Sequence, residues 1–121
     1  NNSRIILMRN LFNGIILLTI GQVIVWFQTN GQFVWPFFKR NPLVIALIGG
    51  SIVSYTFILG TKELAQYYEG ALWPGRFIGF SVGMLAFSAL TYTIMDEGIN
   101  TKTGVSLILA VILLCVQLFW K

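Results

Sequence analysis

The stretch that decides the fold runs from residue 73 to residue 92 and reads WPGRFIGFSVGMLAFSALTY. It is apolar over about 20 residues, the length that a helix needs to cross the hydrocarbon core of a bilayer. Gly75, Gly79 and Gly83 follow one another at four-residue spacing, which places them on one helix face. In lipid, such a stripe lets a second helix approach closely. We therefore expect a membrane-spanning helix that packs along its glycine face.

The composition of the whole chain also indicates that lipid, and not water, surrounds most of the protein. Of its 121 residues, 56% are hydrophobic and 10% are charged, whereas soluble domains are about one-quarter charged. Short polar connections separate four apolar segments, and short connections make consecutive helices antiparallel neighbours. The sequence therefore predicts an all-α polytopic membrane protein, with residues 1–121 forming one domain of four transmembrane helices. The predicted helices cover residues 11–28, 42–60, 73–94 and 104–120.

Aromatic and basic residues mark the membrane boundaries. Tryptophan and tyrosine favour the headgroup region because their rings are apolar on one side and can form hydrogen bonds on the other. The residues of this kind near segment ends are Trp26, Trp35, Tyr67, Tyr68, Trp73 and Trp120. Lys and Arg are divided almost evenly between the two sides, so the positive-inside rule favours cytoplasmic termini only weakly. The sequence also permits insertion of the chain in either orientation, with its termini on one side of the membrane or on the other.

Polar residues within or beside the apolar segments are the candidates for substrate binding. A charged group at membrane depth costs roughly 3 kcal/mol and is retained mainly where it faces a partner or a wet cavity. Arg76 is the clearest case, and Glu69 would share its helix face if the helix extended back two turns. Alternatively, Arg76 reaches up to lipid phosphates and Glu69 lies in water. The candidate substrate-binding residues are Gln22, Tyr55, Glu69, Trp73 and Arg76.

A second strip of small residues lies in the segment 42–60. Ala46, Gly50 and Ser54 repeat the four-residue spacing of the glycines in the segment 73–94. Small residues on both helices would let their backbones approach each other. We therefore expect these two helices to pack together, with Gly75, Gly79 and Gly83 as helix-packing residues.

The residue types exclude several other functions. The chain has no histidine and one cysteine, Cys115, so a metal site of thiol and imidazole cannot be assembled, and no nucleophile-base pair is visible. We expect no enzymatic activity, no metal and no cofactor. The net charge of +4 is spread over connections on both sides and forms no basic stripe for nucleic acid.

Three short motifs carry a resemblance to a known family. They are Trp35-Pro36 ahead of the second helix, the stretch GALWPG at 70–75, and the acidic turn MDEGINTKTG at 95–104. Together they resemble the small multidrug resistance proteins and the related half-size members of the drug/metabolite transporter superfamily. The resemblance implies a multi-pass protein of a bacterial-type inner membrane, a tryptophan at position 73 lining the binding chamber, and a fourth helix that dimerises. Some half-size members of the superfamily act as paired subunits in the translocation of lipid-linked sugars.

Two residues depart from the family pattern. The family exporters use a glutamate in the first helix to exchange protons for cationic substrate, but residues 11–28 contain no acid. The nearest polar side chain, Gln22, cannot titrate. Arg76 would repel a cation and favours anionic headgroups or carboxylates.

These considerations lead to two predicted functions. The first is a small dimeric transporter or flippase for a small-molecule or lipid-like substrate, acting as a homodimer or with a similar subunit. The alternative is a non-transporting membrane subunit or scaffold that docks through its glycine stripe.

Overall fold

The computed structural model describes residues 2–120, and four of its helices are long and apolar enough to cross a bilayer. The protein is therefore an all-α, multi-pass membrane protein, as the sequence predicts. A 3₁₀ turn at Gly31–Phe33 and a short helix that begins at Pro36 join the first two spanning helices. The helices are α1 Asn2–Asn30, α2 Pro36–Arg40, α3 Pro42–Tyr67, α4 Trp73–Ile94 and α5 Thr101–Phe119.

The helix boundaries differ from the prediction mainly where polar residues continue a helix beyond its apolar part. The bounds of α4 agree with the prediction at both ends. By contrast, α1 begins at Asn2 rather than residue 11, and α3 ends at Tyr67 rather than residue 60. The added turns contain Arg4, Arg9 and Lys62. Hydropathy marks the part of a helix that lies in lipid, and a helix can extend past that part into the headgroups.

Helix α1 lies at the centre of the bundle. It packs against both α3 and α4, and α5 packs against α4. Leu18 lies beside Gly79, and Trp26 forms a hydrogen bond with Thr91, so α1 and α4 run in the same direction. The prediction that consecutive helices are neighbours is wrong for α3 and α4, which touch only slightly. Their separation leaves an open cleft between them.

The close contact between α1 and α3 depends on glycines that the sequence reasoning did not single out. A Cβ added at Gly14 would lie 2.7 Å from the Leu64 side chain, and one added at Gly21 would overlap the ring of Phe57. On α3, a Cβ at Gly60 would lie 2.9 Å from a methyl group of Leu18. Gly14 and Gly21 are seven residues apart, which is about two turns and therefore one face. That spacing was the signal available in the sequence.

The predicted strip on α3 has a different environment. Ala46 and Ser54 are exposed, and a Cβ at Gly50 would lie 3.6 Å from the amide nitrogen of Gln28, an ordinary contact. The strip does not face the glycines of α4. The expectation that these two stripes pack together is therefore wrong, because Gly79 and Gly83 lie against α1 and only Gly75 has a residue of α3, Leu64, as its nearest neighbour.

Buried side chains cluster where α1, α3 and α4 meet. Leu18, Leu64, Ile78 and Val82 form this core. Trp26 is 2% exposed, and its indole N–H donates to Thr91 Oγ1 at 2.9 Å. The ring of Trp26 therefore packs inside the bundle, and its polar edge is satisfied by α4.

Helix α5 is attached on one side only. Ala110 is its single buried residue among those described, and most of its other apolar side chains face outward. The hydroxyl of Tyr68 donates to the backbone oxygen of Gln117 at 2.9 Å, which joins the end of α3 to the end of α5. Burial, with a smaller contribution from Tyr67, raises the pKa of Tyr68.

Replacing Gly21 by alanine should destabilise the bundle, whereas the same change at Gly50 should not. At Gly21 the new methyl group meets the Phe57 ring between two packed helices, and such overpacking costs about 1–3 kcal/mol. At Gly50 the methyl group has room. Thermal unfolding in a mild detergent measures both variants. Equal midpoints for the two variants would contradict the close contact between α1 and α3.

Candidate functional site

An open cleft of about 470 Å³ lies where α3 and α4 separate. Its floor is α1, and its walls are α3 and the first two turns of α4. We name it the Arg76 cleft because Arg76 is the one charged residue among those that line it. The side chains that shape it most are Leu18, Gln22, Phe57, Thr61, Arg76 and Phe80.

Glycines on α4, which have no side chains, create part of this space. Gly75 and Gly79 line the cleft, and a Cβ added at either would lie 3.6 Å from the nearest leucine atom, Leu64 or Leu18 respectively. Both positions therefore have room for a methyl group. The remaining walls are mostly apolar, with Phe57 on α3 and Phe80 on α4 facing the same opening.

Gln22 crosses from α1 onto the backbone of α4. Its side-chain amide donates to the backbone oxygen of Gly79 at 3.2 Å. A Cβ at Gly83 would lie 2.7 Å from the Gln22 amide carbon, so only glycine leaves room for this side chain in its present position. Of the three glycines in the stripe, Gly83 is approached most closely, and the group that approaches it is the polar side chain of Gln22 from α1.

Arg76 lies in the first turn of α4. Among the described residues no side chain forms a hydrogen bond or ion pair with its guanidinium. Leu72, which precedes the helix, provides no side-chain cap, so the first turn keeps the partial positive charge of a helix N-terminus. This end of the cleft is consequently electropositive, with an uncompensated guanidinium beside an uncapped helix end.

The other three candidate residues lie away from the cleft. Glu69 is exposed in the connection between α3 and α4 and has a φ of 57°. Because this left-handed residue lies outside α4, it cannot share a helix face with Arg76, as the sequence had suggested. Tyr55 is exposed on α3, and Trp73 is exposed at the start of α4, where its ring stacks on Phe77. The structure brings together Gln22 and Arg76 only.

Some residues of the site region were missed by the sequence reasoning. Phe57, Thr61 and Phe80 line the cleft, but within an apolar segment they look like any other helix residue. Glu63 is the one acidic residue within the described spanning helices, and its Oε2 is buried without a hydrogen-bond partner. It does not line the cleft and forms no ion pair with Arg76.

No family model, no curated protein and no solved structure matches the chain significantly.

Alanine at Gly83 should disturb the site, whereas alanine at Gly79 should be tolerated. The first substitution places a methyl group against the Gln22 amide, and the second makes only an ordinary contact with Leu18. We expect Gly83→Ala to displace Gln22, to break its bond to Gly79 and to lower stability by about 1 kcal/mol. Thermal unfolding of the two variants in one detergent provides the comparison. If Gly79→Ala is the more damaging change, Gln22 does not lie where we place it.

Proposed function

We propose that the protein is a small dimeric membrane transporter or flippase and that its substrate binds in the Arg76 cleft. The observation that carries the proposal is the convergence of Gln22 and Arg76 on one open, mostly apolar cleft. Polar groups in membrane helices are retained mainly where they face a partner or a substrate pathway. The resemblance to small multidrug resistance proteins supports the same function and a bacterial-type inner membrane.

The charge of the cleft favours an anionic substrate. Arg76, an exposed residue, is the single charged one among those that line it, and a fixed positive charge repels cations. A guanidinium presents five donors in a planar fork that matches a phosphate or a carboxylate. The uncapped first turn of α4 adds positive potential at the same end.

The walls of the cleft favour a substrate that also has an apolar part. Leu18, Phe57 and Phe80 line the cleft, and their side chains offer an apolar group a dry surface. At about 470 Å³, the cleft falls within the range of ligand pockets, about 300–1,000 Å³. Because it opens between α3 and α4, a molecule could enter it sideways from the bilayer. An anionic amphiphile, with its headgroup at Arg76, fits both features.

Proton exchange at a carboxylate of the first helix has no support in this chain. Helix α1 contains no acidic residue, and the position that faces the cleft is taken by Gln22, whose amide does not titrate. The amide instead offers hydrogen bonds to a ligand. The substrate and the coupling mechanism should therefore both differ from those of the cation exporters.

The alternative function, a scaffold that docks through its glycine stripe, has less support. Within the chain itself, Leu18 and Gln22 of α1 already lie against Gly79 and Gly83. A partner could reach Gly83 only by displacing Gln22, whereas Gly75 and Gly79 line the open cleft.

Substitution of Arg76 tests the substrate site. We expect wild-type protein to retain phosphatidylglycerol in preference to phosphatidylcholine, as detected by native mass spectrometry after extraction from mixed vesicles. Arg76→Lys should weaken this preference about tenfold, because the bidentate fork is lost, and Arg76→Gln should abolish it. The wild-type protein should also move a fluorescent phosphatidylglycerol between leaflets, and Arg76→Gln should slow that movement.

The matched controls are the same two substitutions at Arg40, an exposed arginine of α2 that does not line the cleft. They should leave lipid retention unchanged. If Arg76→Lys behaves as wild type, the arginine only reaches towards the headgroups, and the site is not where we place it.

Dimerisation through α5 is the second prediction of this function. The cleft of one chain is open on one side, and α5 presents an outward apolar face that includes Val105, Ile108 and Ile112. Cysteines at these positions, in a background with Cys115 replaced by serine, should cross-link in bilayers. A cysteine at Ala110, which faces inward, should not. A protein that shows no cross-linking and a monomeric mass in nanodiscs would contradict the dimer.

A further inference from the structure

A second cleft continues from the Arg76 cleft along the seam between α1 and α4. It has a volume of about 230 Å³, and its lining includes Trp26 and Asn30 of α1 and Met84 and Phe87 of α4. We name it the Trp26 cleft. No charged residue is among those that line it, so it differs in character from the Arg76 cleft.

The two clefts lie one after the other along α1 and α4. Helices α1 and α4 are parallel, so residue numbers increase in the same direction along both. The lining of the two clefts extends from Leu18 to Asn30 on α1 and from Leu72, the residue before α4, to Phe87 on α4. At 1.5 Å per residue these stretches measure roughly 18 and 22 Å. Together the clefts cover about two-thirds of a hydrocarbon core of roughly 30 Å.

Two side chains belong to both clefts, and they are Gln22 and Phe80. Gln22 is held in place by its bond to Gly79 and by its contact at Gly83. Phe80 is on the same helix as those glycines, and its side chain is 58% exposed. The boundary is therefore formed by one amide with a single long hydrogen bond and by one ring with room to turn. Both can move without unfolding a helix.

We propose that the two clefts are one substrate pathway, that the Trp26 cleft is a second binding site for the same amphiphile, and that Gln22 and Phe80 form the gate between them. This proposal rests on the transport function proposed above. An anionic headgroup would bind more tightly beside Arg76 than in the Trp26 cleft, where it meets only amides and hydroxyls such as those of Gln22, Thr29 and Asn30. The uncharged cleft is therefore the weaker site, from which substrate leaves.

Chemical labelling tests the gate without any transported substrate. We place cysteines at Thr61 in the Arg76 cleft and at Met84 in the Trp26 cleft, in one chain with Cys115 replaced by serine. A membrane-impermeant sulfonated thiol reagent is added outside sealed vesicles, and intact mass counts the labels on each chain. When the gate is closed, reagent that arrives from one face of the membrane reaches only one of the two clefts. We expect singly labelled chains whichever way the protein is inserted.

The variant Phe80→Ala should open the gate and produce doubly labelled chains at a rate about tenfold higher, a change of about 1.4 kcal/mol in the barrier. The matched control is Phe77→Ala on the same helix. Phe77 lines neither cleft, so its loss should leave the chains singly labelled. Doubly labelled chains in the presence of Phe80, at the rate of the alanine variant, would overturn the proposal. Chains without any label would also overturn it, because a pathway must admit the reagent from one face.

A flux measurement separates this proposal from the proposed function. In vesicles that carry fluorescent phosphatidylglycerol, Phe80→Ala should speed exchange between leaflets and Phe80→Trp should slow it. If the wild-type protein moves no probe but labelling still shows one label per chain, the transport of anionic lipid fails and the division of the pathway stands. If the probe moves equally fast in wild type, Phe80→Ala and Phe80→Trp, transport stands and the gate fails.

Discussion

The amide of Gln22, lying across the glycine stripe of α4, is the contact on which the rest of the structure depends. Apolar side chains gain little by leaving lipid for protein, so helices in a bilayer associate through close packing and hydrogen bonds. Here both come from one residue, which fills the space above Gly83 and donates to Gly79. This contact fixes α1 against α4. Gly14 and Gly21 bring α3 to another face of α1, and α3 and α4 are left apart.

This arrangement of helices links the packing of the bundle to the proposed substrate pathway. Because α1 holds α3 and α4 separately, the space between them stays open and Arg76 faces it without a partner among the described residues. In the proposed pathway Gln22 then has two roles, since it joins α1 to α4 and also lines both clefts at their boundary. Movement of this side chain would loosen one helix contact while opening the pathway. The proposed transport function would require such a coupling between conformation and access.

The sequence predicts the number of spanning helices and the bounds of α4, because hydropathy records directly which residues lie in lipid. It also identifies Gln22 and Arg76, since polar groups stand out in an apolar segment. The partner of each stripe could not be predicted, because spacing shows that a face is smooth but not which helix covers it. Trp26 illustrates the same limit: a tryptophan near a segment end resembles an interfacial ring until its hydrogen bond to Thr91 is seen. Only the separation of α3 and α4 makes cleft-lining residues of Phe57, Thr61 and Phe80, and the sequence does not reveal that separation.

A double-mutant cycle between positions 22 and 83 tests the central contact most directly. The free energy of unfolding is measured for wild type, Gln22→Ala, Gly83→Ala and the double variant. We expect Gly83→Ala to destabilise the wild-type protein but to cost almost nothing when residue 22 is alanine, because the clashing side chain is then gone. The coupling energy should be on the order of 1 kcal/mol, as found for residues in direct contact. Strictly additive effects would contradict the placement of Gln22 on the glycine stripe and the arrangement of helices that follows from it.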